Sequence, residues 1–195
     1  MKIAQVKVQG PPAATGDGFL LQADRSPNTR GAQALGLEFD AKDLLERAKR
    51  KELSVLYVFG HDLSTLAPPH GAGLAGSPQA AQEIARQVEL LVFQGSNINA
   101  TSQAAHLVLP SAVYAEKDGT FTNHQGRVQR IWQAFPPMGD AKPDWQILFE
   151  LAKRLDIPWR FHDAASVFKN LTTHEPAFEG LDFDALGDQG ALLKQ

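Results

Sequence analysis

The chain has 195 residues, of which 43% are hydrophobic and 21% are charged, and this composition is typical of an ordinary folded domain. Its formal net charge of −3 gives no electrostatic case for binding to nucleic acid. Because the sequence contains no cysteine, it also excludes disulfide bonds, a cysteine nucleophile and iron–sulfur clusters held by this chain.

The distribution of hydrophobic residues gives no membrane-spanning pattern. No apolar stretch reaches the length of about 18 residues that a transmembrane helix needs, so we expect no direct membrane insertion. Residues 1–10 lack the basic start and the apolar core of a secretion signal. The sequence therefore predicts an intracellular chain.

The first forty residues carry only short structural signals. Ile3, Val6 and Val8 predict an edge strand, and the apolar run at residues 19–21 predicts another short strand. Between them, residues 11–18 are rich in proline, glycine and small residues, as in a flexible connector. Residues 24–30 are rich in turn formers.

The next seventy residues alternate between strand and helix patterns. Continuous apolar runs predict buried strands, and capping residues followed by apolar residues at helical spacing predict helices. In chain order these are a helix after Asp40 ending near Arg50, a strand at Val55–Phe59, a helix capped by Ser77 and Pro78, a strand at 90–93, helical turns within 99–105 and a strand at 107–109. This alternation predicts parallel strands joined by right-handed crossovers.

A hairpin and two helices are predicted after these strands. A turn at residues 117–119 leads into a strand at 120–123, and a turn ending in Gly126 leads into a returning strand that begins at Arg127. We expect an amphipathic helix over residues 144–155. Asp163 is expected to cap a shorter helix that ends near Asn170, and residues 171–195 are loop-like with a weak helical turn near Asp184.

A glycine-rich motif invites a nucleotide-binding interpretation. Residues 71–76 read GAGLAG, which fits the pattern G-x-G-x-x-G and precedes a helix. The preceding strand at Val55–Phe59 ends about ten residues earlier, whereas a dinucleotide fingerprint places its glycines directly at the strand end. A flexible glycine loop is therefore the favoured interpretation, with dinucleotide binding as the alternative.

The best candidates for ligand contact follow two predicted strands. His61 and Asp62 come directly after the first strand, and Gln94 and Asn97 end or follow the second. In sheets of this class, ligands bind at the carboxyl ends of the strands, so these four residues are weak cofactor-binding candidates. The six histidines contain no pair at the helical i, i+4 spacing, so no metal site is predicted. His106 is predicted to pack beside the third strand.

Catalysis by this chain is not predicted. No serine lies in a G-x-S-x-G elbow. Glu116, Asp118 and Arg127 lie within twelve residues and suggest acid–base chemistry, but a structural role is favoured. We expect Asp118 to accept local amides and Glu116 to pair with Arg127. The proposed structural motif of the hairpin comprises Glu116, Asp118, Gly119, Asn123, Gly126 and Arg127.

The central part of the sequence resembles a known family. Residues 104–156, which include LVLPSAVYAEKDGTFTNHQGRVQR and PMGDAKPDWQILFELAKRL, resemble the end of the last parallel α/β domain of molybdopterin-family oxidoreductases. They are most similar to the C-terminal part of the large iron–sulfur subunit of bacterial NADH-quinone oxidoreductase, which is respiratory complex I. Residues 26–37 and 175–190 resemble neighbouring segments of that large subunit.

The resemblance implies an α/β fold: a three-layer parallel sheet with flanking helices, followed by a C-terminal hairpin and helix. It implies an N-terminal edge segment and linker at 1–18, an α/β domain at 19–156 and a tail at 157–195 that packs on this domain. The whole large subunit would pass electrons from NADH toward quinone through iron–sulfur clusters absent from this chain. The expected partners are other domains of the same subunit and other peripheral-arm subunits of complex I, at the cytoplasmic side of the membrane.

Two alternatives remain open. The chain could be the cofactor-contacting C-terminal piece of a molybdopterin guanine dinucleotide oxidoreductase, or a stand-alone α/β protein that binds a small ligand. Against pterin contacts, the first strand is followed by Gly60, His61 and Asp62 where pterin-binding relatives usually have an Asn-Pro pair. Against catalysis, His124 and Gln125 stand where the family usually has Thr-Glu. A piece of a larger subunit should also expose an apolar surface.

Overall fold

A computed structural model describes residues 28–37, 41–65 and 78–194. Several predicted features lie outside these residues: the strands at 3–8 and 19–21, the connector at 11–18, the caps Asp40 and Ser77, and the glycine motif at 71–76. The described helices are α1 (Thr29–Ala34), α2 (Ala41–Lys49), α3 (Pro78–Gln87), α4 (Ala100–Ala104), α5 (Asp144–Arg154) and α6 (Ala164–His174). The strands are β1 (Val55–Phe59), β2 (Leu90–Gly95), β3 (Leu107–Pro110), β4 (Gly119–Thr122), β5 (Arg127–Ile131) and β6 (Ala191–Leu192).

The chain divides into two compact units. Among the described residues, unit 1 contains residues 41–65, 78–113 and 137–147. Unit 2 contains residues 28–37, 114–136 and 148–194. The domain boundaries expected from the family resemblance stay a prediction.

Unit 1 is built on a parallel sheet in the order β1-β2-β3. In the parallel register, Val55 of β1 lies opposite Leu90 of β2, and Val92 of β2 lies opposite Leu107 of β3. All three strands begin where they were predicted to, because each starts a short apolar run. β1 also ends as predicted, whereas β2 extends two residues past the predicted 93 and β3 extends one residue past the predicted 109. The predicted fold class, an α/β fold with a parallel sheet and helices, is confirmed.

Helices cover one face of this sheet. The side chains of Leu56, Val58, Leu91 and Phe93 are nearly inaccessible to solvent and belong to one apolar cluster. The same cluster includes buried residues of α2 and α3 and the residue after α3, namely Leu44, Ala48, Ala81, Ile84, Ala85 and Val88. Packing of amphipathic helices on alternate strand residues forms this core.

The opposite face of the sheet leaves apolar side chains in solvent. Val55 and Phe59 at the edge strand are each 53% exposed, and Leu107 on β3 is 46% exposed. Toward the middle of this face, Val92 and Gln94 are buried. An apolar surface therefore surrounds a buried centre, in agreement with the expected apolar surface.

Unit 2 contains a hairpin with a third strand added at its edge. β4 and β5 pair antiparallel, and β6 pairs antiparallel with the first two residues of β5. Val128, the second residue of β5, is fully buried. It belongs to a second apolar cluster with four other buried residues, namely Phe168, Phe178, Phe183 and Leu186.

Helix α1, which the sequence analysis did not predict, also belongs to unit 2 and contacts β4. Asn28, just before the helix, accepts a hydrogen bond from the backbone N–H of Thr122 at 2.9 Å. Gly31 lies against the same residue, since a Cβ at Gly31 would be 3.0 Å from the Thr122 side chain. The missing side chain of Gly31 thus lets α1 approach the strand closely.

The two long helices near the end of the chain match their predictions at the N-terminus. Asp163 caps α6 with a complete capping box, in which the N–H of Ser166 donates to the carboxylate and its hydroxyl bonds back to the cap. The expected apolar stripe of α5 is only partly covered, because Leu151 is 37% exposed and Leu155 just beyond the helix is 53% exposed. Within the described residues, no helix is both long and apolar enough to span a bilayer.

Candidate functional site

The carboxyl ends of β1 and β2 lie side by side in unit 1 and carry the four candidate ligand residues. β1 ends at Phe59, and Gly60 follows with a positive φ of 62°. The N–H of Gly60 donates to the backbone oxygen of Gln94 at 2.7 Å. The glycine therefore turns the chain sharply at the strand end and places His61 and Asp62 beside the end of β2.

The carboxylate of Asp62 is used by the fold. It accepts hydrogen bonds from the N–H of Ser64 and from the hydroxyl of Thr101, each at 3.0 Å. Burial raises the pKa of Asp62, but the bonds from Ser64 and Thr101 outweigh burial and lower the pKa below its usual value. Thr101 is fully buried and in turn accepts the N–H of Leu63 at 2.7 Å. Asp62 thus ties the loop after β1 to α4.

His61 is half-buried on the same loop. Burial lowers the pKa of His61 below its ordinary value, and the neighbouring Asp62 carboxylate only partly opposes that shift. Its Nε2 atom lies 3.3 Å from the hydroxyl of Thr65. The imidazole is therefore neutral at pH 7 and suited to hydrogen bonding with a ligand rather than to charge pairing.

Gln94 is buried completely at the end of β2. Its side-chain oxygen accepts a short hydrogen bond from the hydroxyl of Tyr57, and its amide nitrogen donates to the carboxylate of Asp144 at 2.9 Å. Burial, with a smaller contribution from Asp144, raises the pKa of Tyr57 to about 12. The amide of Gln94 thus joins two strands of the sheet to the first residue of α5.

The loop after β2 is the most accessible part of this edge. Ser96 and Asn97 are exposed, and Ile98 is 85% exposed. Asn99 then caps α4, accepting the N–H of Ser102 at 2.8 Å. Of the four predicted candidates, Asn97 is exposed and His61 is half-buried, while Asp62 and Gln94 bond within the protein. Ligand contact by these residues stays a prediction.

His106 lies beside β2 at the start of β3. Its Nδ1 atom accepts the N–H of Leu91 at 2.8 Å, and its backbone N–H donates to the oxygen of Leu91 at 2.9 Å. Both bonds join the start of β3 to β2. Because Nδ1 is an acceptor here, the proton of the neutral ring is on Nε2.

The hairpin motif has a structural geometry. Asn123 accepts the N–H groups of Gln125 and Arg127 through one side-chain oxygen, each at 3.0 Å. Gly126 has a φ of 79°, as the turn pattern predicts. Asp118 accepts the N–H of Gln133 at 3.0 Å, which is across the base of the hairpin rather than within its own turn.

The guanidinium group of Arg127 donates to the backbone oxygens of Gln189 and Gly190 at 3.3 and 3.4 Å. These partners belong to the segment that the sequence analysis treated as a loop. Glu116 is buried, and its predicted pairing with Arg127 stays a prediction. Among the described residues, no three acidic or histidine side chains cluster in a way that could hold a metal ion.

Three further residues belong to this edge and were not predicted from the sequence, namely Tyr57, Thr101 and Asp144. A signal existed for Tyr57, because a tyrosine within an apolar strand needs a partner for its hydroxyl group. Thr101 gave no signal, since its partners Asp62 and Leu63 are almost forty residues away.

Comparison with known proteins identifies the family. Residues 8–154 match the family model described as molybdopterin oxidoreductase. The Bacillus subtilis protein YrhE, which is named as a formate dehydrogenase, is 30% identical over 182 residues, covering 90% of this chain and 18% of YrhE. A Staphylococcus aureus protein named as a formate dehydrogenase is 32% identical over 151 residues, covering 75% of this chain and 14% of that protein.

Among solved structures, acetylene hydratase from Pelobacter acetylenicus is similar over 60% of this chain and 16% of that chain, with 20% identity and a TM-score of 0.46. The chain spans less than a fifth of the length of the curated relatives described above. Since the family model covers three quarters of the sequence, the chain belongs to the molybdopterin oxidoreductase family.

Proposed function

We propose that this chain is a non-catalytic structural segment of a larger oxidoreductase of the molybdopterin family. The observation that carries the proposal is made at the strand ends, where the polar groups of Asp62 and Gln94 form hydrogen bonds within the protein. A catalytic carboxylate must be free to exchange a proton with a substrate. Asp62 instead holds a loop, and its lowered pKa keeps it ionised at pH 7.

The exposed apolar face of the sheet supports the same proposal. Val55 and Phe59 project from the edge strand with about half of their surface in water. Leu107 adds a third apolar side chain on this face. Exposed apolar side chains on a sheet face typically mark contact with another protein region, which agrees with a segment that spans a small share of its relatives' length.

For the larger protein, the sequence resemblance favours the large iron–sulfur subunit of NADH-quinone oxidoreductase. In that setting the segment contributes packing and subunit contacts in the peripheral arm of complex I, at the cytoplasmic side of the inner membrane. Its partners are the other domains of the same subunit and neighbouring peripheral-arm subunits. Electrons pass from NADH toward quinone through iron–sulfur clusters in other parts of that large subunit, so no step is assigned to residues of this chain.

The names of the relatives favour a second candidate. Proteins named as formate dehydrogenases suggest that the segment belongs to an enzyme that oxidises a small substrate such as formate and carries molybdopterin guanine dinucleotide. Asn97 and His61 fit a contact with the guanine or phosphate part of that cofactor, because both offer hydrogen-bonding groups at the strand ends. They fit one edge of such a site, and the cofactor would supply the redox chemistry.

Titration with guanosine monophosphate distinguishes the two candidates. We would follow amide shifts by NMR in the whole chain, in Asn97→Ala and His61→Ala, and in Gln125→Ala as a matched control in the hairpin turn. The structural proposal predicts no saturable shift in a folded protein. Saturable shifts around residues 60–65 and 95–99 that both edge variants weaken, and the control does not, would replace it with the cofactor-contacting function.

A further inference from the structure

The segment after Gly180 lies over the hairpin of unit 2 and is held there by several kinds of contact. Phe183 and Leu186 insert into the second apolar cluster, where Phe183 contacts Phe168 at 5.7 Å between ring centroids. β6 then pairs with β5. We call residues 181–194 the strap.

One ion pair joins the strap to the hairpin. Arg130 of β5 contacts the carboxylate of Asp184 at 2.7 Å. The guanidinium group lies near two aromatic rings, 3.5 Å from the centroid of Trp132 and 4.2 Å from that of Phe183. Within the described residues, this is the only ion pair between the strap and β5. Cation–π contact with both rings stabilises the charge where it is partly removed from water.

When the strap lies closed against the hairpin, one buried hydrogen-bond donor is left unsatisfied. The Nε atom of Arg130 is buried and has no hydrogen-bond partner among the described residues. A buried donor without an acceptor opposes the closed state, and opening the strap would return this N–H to water. This penalty on Arg130 opposes the favourable apolar contacts of Phe183 and Leu186, so the strap is a candidate for local opening.

A hinge for that motion is present at Gly180. Its φ is 82°, and a Cβ built there would meet nothing within 4 Å, so the position is open. The hydrogen bonds at this point are short-range, since the N–H of Leu181 donates to the oxygen of Phe178. Backbone rotation at Gly180 can therefore swing the strap while α6 stays intact.

We propose that the strap opens as a unit about Gly180, uncovering the apolar surface around Val128, and that the Arg130–Asp184 ion pair sets how often it opens. Opening would expose Phe168 and Phe178 together with the edge of β5. This gives unit 2 an apolar surface and a free strand edge that become available only in the open state.

Hydrogen exchange measured by NMR or mass spectrometry tests the proposal. The reporting amides donate from the strap to residues outside it, so they are hydrogen-bonded only in the closed state: Leu193 to Gly126 and Lys194 to Ala177. In Asp184→Asn we expect these amides to exchange about 2 to 5 times faster, the effect of losing one partly exposed ion pair, while α6 keeps its protection. Asp188→Asn is the matched control, because it removes the same charge from the strap without removing the bond to Arg130.

Salt gives a second, independent measurement. Raising sodium chloride from low concentration to about 0.5 M should speed exchange of the strap amides in the wild type but not in Asp184→Asn, because salt screens the pair that the variant lacks. The proposal fails if Asp184→Asn exchanges like the wild type. It also fails if all protected amides of unit 2 speed up together, since the strap would then not open separately.

Discussion

Gln94 donates its side-chain amide to Asp144 at 2.9 Å, although 50 residues separate them in the sequence. Replacing Gln94 by methionine keeps the volume of the side chain but removes this donor and the acceptor of the Tyr57 hydroxyl. We expect the free energy of unfolding to fall by about 2–3 kcal/mol, because polar groups at a buried position lose their partner. Denaturant unfolding with urea measures the change.

The matched control for this variant is Tyr57→Phe, which removes only the hydroxyl group. Its cost should be smaller, about 1 kcal/mol, since one hydrogen bond is lost and Gln94 keeps its bond to Asp144. Equal losses in the two variants would show that the contact with Asp144 contributes nothing.

Tyr57 should remain protonated to unusually high pH. Burial and the Asp144 carboxylate raise its pKa to about 12, above the value near 10 of the unfolded chain. The folded protein therefore holds a proton that the unfolded chain releases, so this stabilisation is complete below about pH 10 and is lost as pH rises toward 12.

Absorbance at 295 nm reports the phenolate directly. The wild type should show an ionisation step near pH 12 that is missing in Tyr57→Phe, and circular dichroism recorded in parallel would verify that the protein is still folded. If the ionisation step that is lost in Tyr57→Phe lies near pH 10 instead, that result would contradict the burial of the Tyr57 hydroxyl.

Gly126 should resist substitution because of its backbone alone. With a φ of 79°, alanine at this position is strained, whereas its Cβ would be at an ordinary 3.8 Å from Leu193. We expect Gly126→Ala to lower the free energy of unfolding by about 1–2 kcal/mol. Gly126→Asn should cost less, since asparagine tolerates the left-handed region, and the difference between the two variants separates backbone strain from crowding.

Gly31 should resist substitution because of crowding by neighbouring atoms rather than because of its backbone conformation. It lies in a helix, where alanine is favoured by about 1 kcal/mol. A Cβ there would nevertheless be 2.8 Å from Asn28 Oδ1, which accepts the N–H of Thr122. We expect Gly31→Ala to destabilise by about 1–2 kcal/mol, as overpacking does.

The same substitution in an Asn28→Ala background should cost less, because the crowded oxygen is then absent. Thermal and denaturant unfolding of the two single variants and the double variant measure this coupling. Strictly additive effects would mean that Gly31 and Asn28 do not compete for the space beside Thr122.

Local patterns in the sequence predicted most elements of the fold. The elements that these patterns did not predict depend on contacts between residues far apart in the sequence. β1 has the predicted bounds because five apolar residues stand between turn formers. The cap at Asp163 is confirmed because its partner Ser166 is three residues away. Helix α1 and strand β6 were missed, since α1 contacts β4 about ninety residues later and β6 pairs with β5 about sixty residues earlier.

The same contrast between local patterns and long-range contacts applies to the candidate ligand residues at the carboxyl ends of β1 and β2. The positions of His61 and Asn97 at strand ends follow from the strand pattern. The partners of Gln94 do not, because a glutamine that ends an apolar run gives no sign of whether it faces solvent or Asp144. Burial of a single side chain depends on which distant segment covers it, and periodicity carries no such information.

The contact between Asn28 and Thr122 affects how the protein can acquire its structure. Unit 2 is assembled from three separate stretches of chain, so α1 leaves the ribosome long before the hairpin and the strap exist. Closing so large a loop is entropically slow, and unit 1 interrupts it. No single cut in the gene can release unit 2, and an engineered version of it would need new connections at both interruptions.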